Sequence, residues 1–149
     1  MADCSWENIE NQKKKARIFS NEINRKANKY AWENIKLNKL EDLIEIIPGD
    51  AKKLPTKLRK GEALGKRSCP RQFDFILMPR PNLKNTFLKT ALKLSKKGTL
   101  IYYHGFGERD KVIEEIKKDA GKRIRKIKIQ KAGEIAPYRF RWLAKFNVI

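Results

Sequence analysis

Apolar residues recur along this chain with two alternating periods, and the alternation predicts the elements. Ala16-Arg17-Ile18-Phe19-Ser20 is a short apolar run that ends at the acid Glu22 and reads as a buried strand. Over residues 25–38 the spacing changes. Ala27, Tyr30, Ala31 and Ile35 recur three and four positions apart, as on one face of a helix, with Asn24 as its N-cap. Ile44-Glu45-Ile46-Ile47 is a second strand and runs into the turn Pro48-Gly49-Asp50. Residues 55–72 hold two glycines, two prolines and many Lys and Arg, and read as a basic surface loop with room for a helical turn.

Residues 73–78 form a continuous apolar run broken only by Asp74, the pattern of a strand covered on both faces. Pro79-Arg80-Pro81 stops it, because proline cannot donate to a sheet ladder. Residues 83–96 then read as an amphipathic helix with Phe87, Leu88, Ala91 and Leu92 inward and Gly98 just past its end. A strand over 99–104 and a helix over 108–120 follow, the latter with Val112, Ile113 and Ile116 on one face. Two strands close the chain. In the last, Tyr138, Phe140, Trp142, Ala144, Phe146 and Val148 alternate with Arg139, Arg141, Leu143, Lys145 and Asn147, a period of two. The short connection over 133–137 makes that pair antiparallel. The expected fold class is therefore α/β: a mostly parallel, Rossmann-like sheet with helices on both faces, closed by an antiparallel edge hairpin.

Composition adds a partner class. The 149 residues suit one compact domain, read as a polar N-terminal segment over 1–15 and a folded region over 16–149. Lys and Arg number 36 against 17 Asp and Glu, a formal net charge of +19. Such an excess favours a polyanion, because phosphate neutralisation releases counterions; a merely solubilising surface is the plain alternative. Cys4 and Cys69 are too few and too isolated for a zinc knuckle or a disulfide framework, so no metal site is expected and a reduced setting is. No apolar run approaches the roughly 20 residues of a membrane span, and a cytoplasmic protein without membrane partners is expected.

In an open parallel sheet, ligands bind beyond the carboxyl ends of the strands. The residues to inspect are Glu22, Gly49-Asp50-Ala51, Met78-Pro79-Arg80-Pro81 and His104-Gly105-Phe106. Glu22 at a strand end suits the paired hydroxyls of a ribose, Asp50 suits an adenine amino group, and Ile23 can cover an adenine face. Equally, Glu22 reads as a helix-start charge and Asp50 as a turn residue. His104 is the sole histidine and reads as either an acid–base group or a packing residue. Arg80, fixed between two prolines, either aims at a phosphate or base or lies in solvent.

Two stretches and an ending carry a family resemblance. "ARIFSNEINRKANKYAWENIKLNKLEDLIEIIPGDAKK" contains a strand ending "E-x-N", a helix of the form "A-x-x-x-x-x-x-N-I-x-x-N" and a "G-D" turn. "FDFILMPRPNLKNTFLKTALKLSKKGTLIYYHGF" and the closing "KIQKAGEIAPYRFRWLAKFNV" follow in order. Together they resemble the tRNA guanine-37 N1-methyltransferase family, archaeal type, with its wyosine-pathway relatives. The resemblance covers about residues 16–149. It implies a class I methyltransferase fold and S-adenosylmethionine as cofactor, with Glu22 on its ribose and Ile23, Asp50 and Ala51 around its adenine. It further implies that Pro79, Arg80 and Pro81 line the target-base pocket and that the tRNA anticodon region is the substrate. Beside that resemblance, the basic residues Arg80, Lys84, Arg139 and Arg141 are the candidate RNA contacts, although the Arg139/Arg141/Lys145 stripe reads more readily as a solvated face than as an RNA track.

Two positions depart from the family pattern. The glycine-rich cofactor loop, "D-x-F-A-G-x-G-P-F", has no counterpart before Ala16, where Ser5-Trp6-Glu7 replaces the glycines. The first strand of the family's sheet is expected to be lacking with it. Pro79-Arg80-Pro81 stands where many members have Asn-Leu-Pro. The expectation is a methyltransferase domain incomplete on its own, its first strand, glycine loop and recognition domain supplied by a second chain. The alternatives are a non-catalytic basic RNA-binding protein on the same scaffold, and a truncated sequence whose missing N-terminal half belongs to the same chain.

Overall fold

The computed structural model describes residues 17–60, 72–79 and 85–149. The chain divides into two compact units, Met1–Cys69 and Pro70–Ile149. In the first, β1 (Ile18–Glu22) and β2 (Ile44–Pro48) pair in parallel, with Glu22 opposite Pro48. Helix α1 (Arg25–Leu37) connects them. Its N-cap is Asn24, as the sequence predicts: the Asn24 side chain accepts from Lys26 N at 2.9 Å and from Ala27 N at 3.4 Å. Ile35 is buried and Ala27 and Ala31 are half-buried, whereas Tyr30 lies at the rim of that face and is exposed.

The stretch expected as a basic loop with room for a helical turn begins with such a turn. A short 3-10 turn (Ala51–Lys53) leads into α2 (Leu54–Lys60), which buries Leu58. Leu54 and Leu58 are one helical turn apart, and Pro55 stands in the first turn, where its missing N–H costs no hydrogen bond. Residues 61–71 lie outside the described residues.

The second unit is a four-stranded sheet in the order β3 (Phe73–Met78), β4 (Ser95–Gly107), β6 (Arg139–Val148), β5 (Ile124–Ala136). β3 runs parallel to β4, and β6 runs antiparallel to both of its neighbours. The period-two pattern predicted for β6 is realised, with Ala144, Phe146 and Val148 buried and Arg141, Lys145 and Asn147 exposed. Helices α3 (Leu88–Lys93) and α4 (Arg109–Ala120) join one core with the sheet: Leu88, Leu92, Val112 and Ile116 meet Ile101, Tyr103, Ala144 and Phe146. Trp142 closes the far end, donating from Nε1 to Gly107 O at 2.9 Å.

Both helices therefore lie on one face of this sheet, not on two. β3 is consequently not covered on both sides. Ile76 and Met78 pack against the core, while Phe75 and Leu77, pointing the other way on the pleat, are 67% and 71% exposed. Asp74, which interrupts the run, pairs with Lys96 at 2.6 Å.

Three boundaries also move. The helix predicted over 83–96 is observed only as α3, because Ser95 already pairs with Phe73 in the sheet and its hydroxyl donates to Ala91 O at 2.7 Å. Gly98 (φ 90°) therefore sits in a bulge of β4, where Lys96 N donates to the Thr99 hydroxyl at 2.9 Å, and not at a helix end. At the other end β4 continues to Gly107, since its pairing with β6 reaches Phe140. Tyr138, assigned to the inner face, is the left-handed turn residue (φ 62°) and is exposed.

Gly105 carries a specific packing demand. A Cβ built there would stand 2.3 Å from Val112 Cγ1 and 2.7 Å from Cγ2, so α4 approaches β4 closely only because that atom is missing. Gly105→Ala is expected to destabilise the fold by about 1–3 kcal/mol through overpacking. Adding Val112→Ala should recover part of the loss, which thermal unfolding of the single and double variants measures. Independent, additive losses would show that the contact is not the cause.

Candidate functional site

The carboxyl ends of β1 and β2 lie side by side because the strands are parallel, and a web of bonds ties them. Gly49 N donates to Glu22 O at 2.9 Å, extending the ladder past Pro48. Asn28 Nδ2 donates to the same Glu22 carbonyl at 2.9 Å. Asn21 Nδ2 donates to Ile47 O at 2.7 Å and Gly49 O at 3.0 Å. Lys57 Nζ donates to Pro48 O at 3.1 Å. Gly49 has φ 123°, a backbone conformation that calls for glycine; a Cβ there would meet Lys57 Nζ at 2.9 Å and displace the end of that side chain.

Four of the residues singled out by the sequence are brought together here: Glu22, Ile23, Asp50 and Ala51. Glu22 Oε1 accepts from Asn24 N at 2.7 Å, and Asp50 Oδ1 accepts from Lys52 N at 2.9 Å as the cap of the 3-10 turn. The helix-start and turn roles are thus both filled, each by a single carboxylate oxygen. Among the described residues, the other oxygens, Glu22 Oε2 and Asp50 Oδ2, accept no hydrogen bond. Next to Glu22 in the chain, Ile23 is 69% exposed, and next to Asp50, Ala51 is half-buried. Chemically this is an acceptor-bearing strand end beside an exposed apolar side chain.

Asn21, Asn28 and Lys57 were not among the sequence candidates. Asn21 carried a signal, as a polar residue inside an apolar strand; Lys57 was lost in a stretch of many basic residues.

In the second unit, Pro79 follows β3 and is exposed. Arg80, Pro81 and Lys84 lie outside the described residues, as do Cys4 and Cys69. His104, expected as the last residue of a strand, and Phe106, expected beyond it, both lie within β4, opposite Leu143 and Arg141 of β6. The longer ladder is the reason. Arg139, Arg141 and Lys145 point away from the core, as expected of the outer face of β6. Arg141 Nη2 donates to Ala132 O at 3.3 Å, and Lys145 Nζ stands 5.3 Å from the centre of the Tyr102 ring. Lys128 of β5 is directly opposite Lys145. No described helix is long and apolar enough to cross a membrane.

Comparison with known proteins gives the family context. The model of the TRM5/TYW2 methyltransferase domain matches residues 8–130. The tRNA (guanine(37)-N(1))-methyltransferase Trm5b of Pyrococcus abyssi is 34% identical over 95 residues, 64% of this chain and 24% of the relative. The solved structure of that wild-type Trm5b superposes with a TM-score of 0.69 at 27% identity, covering 89% of this chain and 37% of its own. The M. jannaschii TYW2 in complex with AdoMet gives 0.67 at 25% identity, covering 89% and 58%. The complex of aTrm5 with tRNALeu gives 0.67 at 23% identity, covering 89% and 35%. The chain thus spans about a quarter of the curated relative and just over a third of its solved structure. Each match lies within one longer chain, and none of them supports a second chain completing the sheet.

His104 gives the sheet a pH dependence. Burial, and then the neighbouring Arg141 guanidinium, hold the imidazole below its ordinary value of 6.5. The unfolded chain therefore takes up this proton first as pH falls. The stability from a neutral His104 is complete above the unfolded value and is lost as pH falls from there through the lower folded value. Between about pH 7.5 and about pH 5.5, the wild type should lose more melting temperature than His104→Gln. Equal losses would contradict this assignment.

Proposed function

The chain belongs to the TRM5/TYW2 methyltransferase domain family, and from that premise we propose that it holds the nucleoside half of S-adenosylmethionine in a tRNA methyltransferase. The observation that carries the reading is the tied junction of β1 and β2. There Glu22 has one carboxylate oxygen engaged by Asn24 N, Ile23 is exposed, and Asp50 stands one residue past the Gly49–Glu22 bond. These groups fit the cofactor's nucleoside chemically. Glu22 accepts hydrogen bonds from the ribose hydroxyls, Ile23 covers one face of the adenine, and Asp50 accepts from its amino group, with Ala51 alongside. S-adenosylmethionine, when bound, supplies the methyl group.

The substrate in this reading is the anticodon region of tRNA, and the acceptor is N1 of guanosine 37, the chemistry named for the Trm5b relative. A wyosine-type product at the same position is the variant that the TYW2 branch of the family suggests. Pro79, Arg80 and Pro81 line the target-base pocket. Arg80, Lys84, Arg139 and Arg141 meet RNA phosphates, which the net charge of +19 favours. Activity of the whole domain is ascribed to the longer proteins; this chain is its nucleoside-binding and base-facing part.

A second reading, an RNA-binding scaffold without catalysis, has one observation in its favour. Lys128 and Lys145 face each other across β5 and β6, beside the Tyr102 ring, with Arg141 further along β6. Like charges directly opposite destabilise a sheet, and a phosphate backbone would relieve them while the ring stacks on a base.

Adenosine titrated into the isotope-labelled chain separates the two. The first reading predicts shifts of the Ile23, Gly49, Asp50 and Ala51 amides in the millimolar range. It also predicts that Glu22→Gln weakens binding by at least about tenfold, the loss of a charge-assisted bond. No shift at these amides, together with salt-sensitive tRNA binding that Lys145→Glu weakens, is the result of the second reading.

A further inference from the structure

Asn21 precedes Glu22 by one residue, so on the pleat its side chain leaves β1 on the face opposite to that of the Glu22 carboxylate. It reaches across to the turn after β2. A carboxamide nitrogen carries two N–H groups, and Asn21 Nδ2 is within bonding distance of two carbonyls, Ile47 O at 2.7 Å and Gly49 O at 3.0 Å. Those carbonyls flank Pro48 on either side, so one side chain grips both arms of the turn that delivers Asp50.

The turn needs this grip. Gly49 is in a left-handed conformation, and glycine gives the backbone its widest freedom at that point. Four bonds limit it: the two from Asn21, the one from Lys57 Nζ to Pro48 O, and the one from Gly49 N to Glu22 O. The last is itself set by Glu22, whose carbonyl also takes Asn28 Nδ2. Removing Asn21 leaves Gly49 held to β1 at a single point. Other side chains do not replace it. Aspartate would set acceptors against acceptors, serine brings a single donor, and glutamine carries its nitrogen a methylene further.

We propose that Asn21 is the positioning residue of the nucleoside site: it touches no ligand and sets the separation of the Glu22 and Asp50 carboxylates. This rests on the reading of those two residues as the ribose and adenine acceptors. A merely structural bond would affect stability alone. A positioning bond acts on ligand affinity through Asp50, and only while Asp50 is there.

The test is a double-mutant cycle on the full chain, with adenosine as the probe and nuclear magnetic resonance as the readout. Asn21→Ala is expected to weaken adenosine about tenfold when Asp50 is present, and to leave affinity unchanged when Asp50→Ala is already in place. Its effect on melting temperature should be the same in both backgrounds. Asn21→Ser, which keeps one donor, should recover part of the affinity. The same fold loss in both backgrounds, or none in either, overturns the proposal. If Asp50→Ala alone leaves adenosine affinity unchanged, the acceptor role of Asp50 fails and the proposal falls with it. If Asp50→Ala weakens binding and Asn21→Ala does not, only the positioning role is lost.

Discussion

The hydrogen bond from Gly49 N to Glu22 O is the point from which the rest of the first unit takes its functional meaning. Two parallel strands bring their carboxyl ends to the same edge, but a ladder alone would stop at the Glu22–Pro48 pair, since the proline has no N–H to give. Gly49 carries the pairing one step further, and its left-handed conformation then turns Asp50 into the 3-10 start of the next segment. Asn21, Asn28 and Lys57 all spend their donors on carbonyls of this same junction. An edge that would otherwise fray is thereby cross-braced, with two carboxylates and an exposed isoleucine beside it.

The second unit is organised by a different constraint, a one-sided core. Leu88, Val112, Ile116, Ile101, Tyr103 and Phe146 close a dense layer between two helices and one face of the sheet, tight enough at Gly105 to leave no room for a methyl group. The other face is graded. Phe75 and Leu77 are exposed on β3, Tyr102 and His104 are half-buried on β4, and Arg141, Lys145 and Lys128 follow towards β5. A sheet face that passes from apolar through aromatic to basic suits contact with a polyanion at its basic end, in keeping with the charge of the whole chain.

Much of this could be read from the residues, and the misreadings have physical causes. Asn24 announced α1, and the alternation from Phe140 to Val148 announced β6, because capping and pleat are local rules that tertiary context left alone. Glu22 and Asp50 stand out by their place at strand ends, a rule of parallel sheets that requires only correct strand assignments, and the structure keeps both at the ends of paired strands. α3 was overextended because its periodicity continues into Ser95, whose fate was decided by pairing with Phe73, a partner far away in sequence. β4 was cut short for the converse reason, since its last residues are held by β6. The apolar run of β3 promised two covered faces, and composition alone does not say what does the covering. Asn21 stands out locally only as a polar residue in an apolar strand; its role has no local signature, because its bonds reach carbonyls 26 and 28 residues away.

The central claim is that the β1–β2 junction receives a nucleoside, with Ile23 against the base. Isotope-filtered nuclear Overhauser spectroscopy on the labelled chain with adenosine tests it most directly. The account predicts contacts from the Ile23 methyl groups to the adenine protons, and from the Ala51 methyl group to the same ring. Adenosine contacts confined to the Tyr102 and Phe106 rings of β4 would contradict it, and would move the ligand to the basic sheet face.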